Sequence, residues 1–128
     1  MSLALRSLDE SVVVSSDPVQ ALVTAGWLRL ARSTEVGRAV LVKQFTRDGH
    51  SWTALLWRMR SGAVVAMDAV CPHRRYPMSD ARLVGDAVEC PIHGYRYGPT
   101  GRCLNMRRAA PARVLKVRET SGYVWLAP

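Results

Sequence analysis

Cysteine and histidine are scarce in this chain, three of each among 128 residues, and there is a single phenylalanine. Lysine is nearly absent, two against sixteen arginines. No apolar run approaches the ~18 residues of a membrane span, so a transmembrane helix is not expected. The opening MSLALRSLDE has only a short apolar stretch, gains Asp9 and Glu10 early and carries no twin-arginine pair. That is a poor secretory signal, and the expected location is cytoplasmic. No Gly-rich fingerprint follows a strand candidate, which argues against direct oxidation of a nicotinamide. Internal repeats and low-complexity tracts are lacking too, as is any recognisable base-reading element.

Four of the six cysteines and histidines fall in two short motifs, Cys71-Pro72-His73 and Cys90-Pro91-Ile92-His93. Each offers one thiolate and one imidazole, and two loops that converge could enclose a metal centre. Thiolates favour zinc, copper(I) and iron–sulfur clusters, while imidazole suits zinc, copper and iron. Structural zinc sites usually pair like with like, as C-x2-4-C followed by H-x3-5-H; here each motif is mixed. A Rieske-type [2Fe–2S] cluster asks for two cysteines on one iron and two histidines on the other. Cys71, His73, Cys90 and His93 match that demand better than a mononuclear zinc, which stays as the alternative.

The stretch CPHRRYPMSDARLVGDAVECPIHGYRYGPTGRC (71–103) resembles the cluster-binding segment of Rieske proteins. It is most similar to the N-terminal Rieske domain of ring-hydroxylating-type oxygenases and to Rieske ferredoxins. Pro72, Arg74, Ser79, Pro91, Gly94, Tyr97 and Gly101 fall where the family pattern puts them. Gly26-Trp27 through Val36 is similar to the family's opening strand, and Gly122-Tyr123-Val124-Trp125 to its closing one, so the likeness covers about residues 26–127. It implies one Rieske-type [2Fe–2S] cluster per chain, with Cys71, His73, Cys90 and His93 as ligands. Departures stand at Arg75 and Ala81, where the family often has glycine, and at Ile92, where it often has an aromatic. A position needing positive φ would be strained by Arg or Ala.

The resemblance also places the chain within the superfamily. High-potential members carry two further cysteines that form a disulfide, and a serine bonded to a bridging sulfide. Tyr76, Ile92 and Tyr95 stand at those positions here. Fewer donors to sulfur imply a lower potential, the oxygenase and ferredoxin type. Tyr97 keeps two readings, a phenol bonded to a cysteine sulfur or a ring packed on a neighbouring strand. Cys103 is expected to face the core.

The pattern along the chain is all-β, an antiparallel sandwich or barrel of Rieske type. Residues 1–128 read as one domain, with a loose arm over 1–16 and the ligand loops protruding as an inserted subdomain from about 69–100. Asp17-Pro18 can start one short helix to about Ala25. Strands are expected at 27–31, 39–45, 52–60, 63–68, 82–84, 87–90, 102–106, 112–118 and 122–127. Turns at Asp48-Gly49, Ser61-Gly62, Gly85-Asp86 and Ser121-Gly122 separate many of them. Trp52, Trp57 and Trp125 read as core or strand-face aromatics.

With His73 and His93 used, only His50 remains, too few histidines for the two-His, one-carboxylate iron site of an oxygenase. The chain is therefore expected to have no catalytic residues of its own. It would carry single electrons, serving a reductase and a terminal oxygenase whose mononuclear iron lies on another chain. The net charge is +8, and residues 71–119 hold ten basic against four acidic residues. A basic face of Arg74, Arg75, Arg96, Arg107 and Arg108 would steer an acidic redox partner; a general arginine bias explains the charge as well. Membrane and nucleic acid are not expected partners. Two alternatives remain: the detached N-terminal domain of a longer Rieske oxygenase, and a zinc-stabilised or cluster-free interaction module.

Overall fold

A computed structural model describes residues 17–73 and 75–128. The expected arm over 1–16 and Arg74 lie outside the described residues. Helix α1 (Pro18–Thr24) begins where Asp17 accepts a hydrogen bond from the Val19 amide at 3.0 Å, with proline opening the first turn. Proline has no amide to leave unsatisfied there, and its fixed φ suits the helix. No helix among the described residues is long and apolar enough to cross a membrane.

Among the described residues, ten strands make three antiparallel sheets. The first joins β1 (Leu28–Arg32), β10 (Tyr123–Leu126) and β9 (Val117–Thr120) in the order β1-β10-β9. The second, central sheet is β2 (Leu41–Arg47), β3 (His50–Arg58), β4 (Val64–Asp68) and β8 (Val114–Leu115), in that order. The third is small: β5 (Arg82–Val84), β6 (Ala87–Glu89) and β7 (Arg96–Tyr97). Two-residue turns close three of the hairpins, and in two of them both central residues have positive φ. Asp48 and Gly49 have φ of 54° and 78°, and Ser121 and Gly122 have 55° and 81°. Positive φ at both central residues matches the right-handed twist of the strands they join.

Side-chain alternation along β3 explains how the layers meet. Ala54 and Leu56 pack with Leu30, Ala31, Val36, Ala66, Val124 and Leu126 against the first sheet. Leu55 and Trp57 face the other way, joining Val65, Met67, Met78, Val88 and Tyr97 under the small sheet. A strand covered on both faces needs an unbroken apolar run rather than alternation, and Ala54 to Trp57 are all 0% exposed.

Most expected strands fall within two or three residues of the observed ones, and α1 lies where Asp17-Pro18 suggested. Residues 102–106 are not a strand; they make one isolated bridge, Tyr97 to Cys103. The expected strand over 112–118 is two strands, because the chain changes sheets at Lys116: β8 pairs with β4 and β9 with β10. Strand β7 was not anticipated. His50 is the exposed first residue of β3, its ring 6.5 Å from Trp52. Trp57 and Trp125 are core residues and Trp52 is half-buried on a strand face, as expected.

Candidate metal centre

The two Cys/His motifs fold into closed loops of one design. The Cys71 amide donates to the Tyr76 carbonyl at 2.8 Å, and the Arg75 amide donates back to Cys71 at 2.6 Å. In the second loop the Cys90 amide donates to Tyr95 at 2.7 Å and the Gly94 amide to Cys90 at 3.0 Å. In both, the fifth residue is left-handed: Arg75 at φ 59° and Gly94 at φ 72°. Glycine adopts this backbone freely; a residue with a Cβ pays about 1–2 kcal/mol. The strain anticipated at Arg75 is therefore present, whereas Ala81 has no positive φ. At Gly94, where φ is 72° and the nearest protein atom to a built Cβ is Glu89 Oε2 at 3.9 Å, the left-handed backbone calls for glycine.

These loops bring the four predicted residues to one end of the small sheet. Cys71 and Cys90 are 1% and 2% exposed, in the core beneath it. Burial pushes the Cys90 thiol up, opposed by the amides of Ile92 and His93, which donate to its sulfur. The Cys71 sulfur lies close enough to Cys90 to help raise its thiol pKa. His73 is half-buried and His93 exposed, with ring centroids 5.1 Å apart at 78°. The site therefore has a buried sulfur half and an imidazole half toward solvent.

Two tyrosines complete it. Tyr97 is fully buried on β7, and its hydroxyl lies 3.5 Å from Cys71 Sγ. Both readings of Tyr97 thus hold together: the ring packs in the core and the phenol reaches a cysteine sulfur. Burial first, and then the Cys71 contact, push its pKa well up, so the phenol keeps its proton and can donate it. Tyr95 stacks on His73, centroids 4.2 Å apart and planes at 27°. Sequence reasoning registered Tyr95 only as a missing serine; nothing in the sequence signals the stacking.

The surroundings are mixed in character. Cys103 is buried, as expected. Tyr76 and Ile92, at the positions of the missing disulfide, are 42% and 47% exposed, and nearby Leu104 and Met106 are also exposed. Arg75, Arg96, Arg107 and Arg108 are exposed. Arg96, however, pairs with Glu89 at 3.0 Å, and Glu89 also holds Arg82 at 2.8 Å. Its charge is already engaged by a carboxylate, which weakens it as a steering residue.

The family model of the Rieske [2Fe-2S] domain matches residues 26–119. The chain belongs to that family. Its cofactor is accordingly a Rieske-type [2Fe–2S] cluster. The oxygenase component of chloroacetanilide N-alkylformylase from Rhizorhabdus wittichii is 44% identical over 79 residues, 62% of this chain and 22% of that protein. The crystal structure of apo dicamba monooxygenase superposes with a TM-score of 0.70 at 27% identity, covering 81% of this chain and 33% of that one. A ferredoxin from Sphingomonas yanoikuyae B1 shares the fold, with a TM-score of 0.67 at 21% identity over 79% of this chain and 97% of its own. This Rieske domain spans less than a third of the length of the curated oxygenase components it matches.

Proposed function

We propose that this Rieske domain relays single electrons to the mononuclear-iron catalytic component of an oxygenase, the iron being carried on another chain. The observation that carries the reading is the division of the two loops into a buried sulfur pair and a solvent-facing imidazole pair. The donor set fits the family's cofactor. Cys71 and Cys90 would hold one iron and His73 and His93 the other. When bound, the cluster supplies one-electron redox chemistry.

The chain's own residues set the conditions. The apolar core around Met67, Met78, Val88 and Tyr97 keeps water from the sulfur side. The Tyr97 hydroxyl, 3.5 Å from Cys71 Sγ and kept protonated by burial, would donate to a Cys71 thiolate, while the Ile92 and His93 amides favour the Cys90 thiolate. Donors to sulfur favour the more negative, reduced charge state. Tyr95 covers one face of the His73 ring and fixes its plane. The exposed His93 edge, with exposed Tyr76 and Ile92 on the same two loops, would meet the partner. The exposed Arg75, Arg107 and Arg108 suit a partner with acidic groups.

Anaerobically purified protein tests this directly. A rhombic Rieske EPR signal on reduction, with two iron per chain, is expected; stoichiometric zinc and no signal would sink the reading and favour a zinc-stabilised module. A second arrangement, the N-terminal domain of a longer oxygenase, is favoured by the length of the relatives. Intact-mass measurement of the protein from its native source separates the two: a product near 14.2 kDa supports a separate component.

A further inference from the structure

We infer that Asn105 is a positioning residue for the Cys90–His93 loop, setting the direction of the His93 imidazole from outside the motif. The inference rests on the reading of His93 and Cys90 as cluster ligands given above. Asn105 Nδ2 donates to the Gly94 carbonyl at 2.9 Å. Its Oδ1 accepts from the Arg96 amide at 2.9 Å and from Cys103 Sγ at 3.5 Å. One side-chain amide thus ties the residue after His93, the first residue of β7 and the neighbouring segment together.

The need for such a tie follows from the backbone. On its exit side the first ligand loop is followed by a bridge between Val70 and Pro77 and a bond from the Met78 amide to Ala69 at 2.9 Å. The second loop runs out through β7, a strand of only two residues. The Arg96 carbonyl accepts from the Leu104 amide at 2.8 Å, and the Arg96 amide is met by Asn105. The Asn105 side chain acts here as a peptide group would, adding one rung that the short strand lacks. Gly94 is consequently held from both sides, its amide by Cys90 and its carbonyl by Asn105. A left-handed residue so held has little freedom to swing, and His93 precedes it directly.

The role requires a donor and an acceptor on one short side chain. Aspartate keeps the acceptor for Arg96 but turns an oxygen toward the Gly94 carbonyl; alanine offers neither group.

Cluster-loaded full chain carrying Asn105→Ala or Asn105→Asp provides the test, read by EPR of the reduced state, by loss of visible absorption with time, and by hydrogen exchange. In Asn105→Ala, exchange at the Arg96 amide should quicken about tenfold, the upper end for one hydrogen bond. Its EPR lines should broaden as His93 samples more orientations, and the absorption should fade faster. In Asn105→Asp, Arg96 exchange should stay near wild type while the lines still broaden. Wild-type linewidths in both variants, even with a lowered melting temperature, would overturn the inference and leave Asn105 a brace of its own loop. If Asn105→Ala does not take up the cluster, Asn105→Asp decides by the same linewidth. A wild-type chain with no rhombic signal is a different failure: it defeats the cluster reading and the inference with it.

Discussion

In the central sheet β3 runs for nine residues, four of them in succession fully buried. In the small sheet no strand exceeds three. The first region holds its shape by apolar burial on two faces and long ladders, terms that need no ligand. The second has Cys71, Cys90, Cys103 and Tyr97 among its buried positions, beside Ala87 and Val88, and is fastened by side chains: Glu89 between Arg82 and Arg96, and Asn105 across the loop exit. It also leaves Tyr76, Ile92, Leu104 and Met106 exposed. One region is a scaffold held by its own apolar core; the other carries the residues proposed to hold the cluster.

Removing the cofactor should break that contrast most visibly. Cys90→Ala is expected to lose all bound iron, with amide exchange rising across β5, β6 and β7 while β3 stays protected. Uniform exchange in both regions would refute the division. Next comes Gly101, at φ 89°, where a Cβ would lie 2.4 Å from the Ala112 carbonyl. Gly101→Ala should cost about 3 kcal/mol, from strain and overpacking together, measured by denaturant unfolding. Tyr97→Phe should leave stability nearly intact but lower the reduction potential by about 40 mV. That is the one-electron equivalent of a hydrogen bond contributing about 1 kcal/mol, and protein-film voltammetry would read it.

Two smaller changes sharpen the comparison. Arg75→Gly should stabilise the first loop by about 1 kcal/mol by relieving its left-handed backbone, seen as a raised denaturation midpoint. Glu89 carries a carboxyl held below its usual range, by Arg96 first and Arg82 next. A lowered pKa in the fold contributes stability that is present above the unfolded carboxyl value and lost as pH falls through the folded one. Glu89→Gln should therefore flatten the acid limb of thermal stability slightly, with no change near neutral pH in its slope.

How far the sequence could be read follows the same line between regions. Asp48-Gly49 and Ser121-Gly122 were legible as turns because positive φ restricts residue choice, and β3 and β4 were legible from their apolar runs. The two Cys/His motifs stood out as candidates because thiolate and imidazole at that spacing serve few purposes. Strand β7 was not, since two residues carry no period. The segment 112–118 looked like one strand because alternation records which side chains are buried, not which strand lies alongside. The strand expected at 102–106 is reduced to a single bridge at Cys103. Asn105 and Tyr95 gave no signal: Asn105 acts across its loop's exit and Tyr95 on His73 of the other loop, and a lone loop amide or ring has no pattern. Arg96 was read as a free cation because its partner, Glu89, is seven residues away and faces it only across β6 and β7.

The far end of the small sheet has a consequence of its own. Asp86, in the turn between β5 and β6, accepts from the Arg60 amide and from Arg38 at 2.9 Å, and its carbonyl accepts from the Trp57 indole at 3.1 Å. From that pinned turn β6 runs three residues, roughly 10 Å, straight to Cys90. The small sheet is thus fastened at both ends, at the Asp86 turn by polar bonds to the central sheet and at Cys90 and Tyr97 by burial in the core the two sheets share.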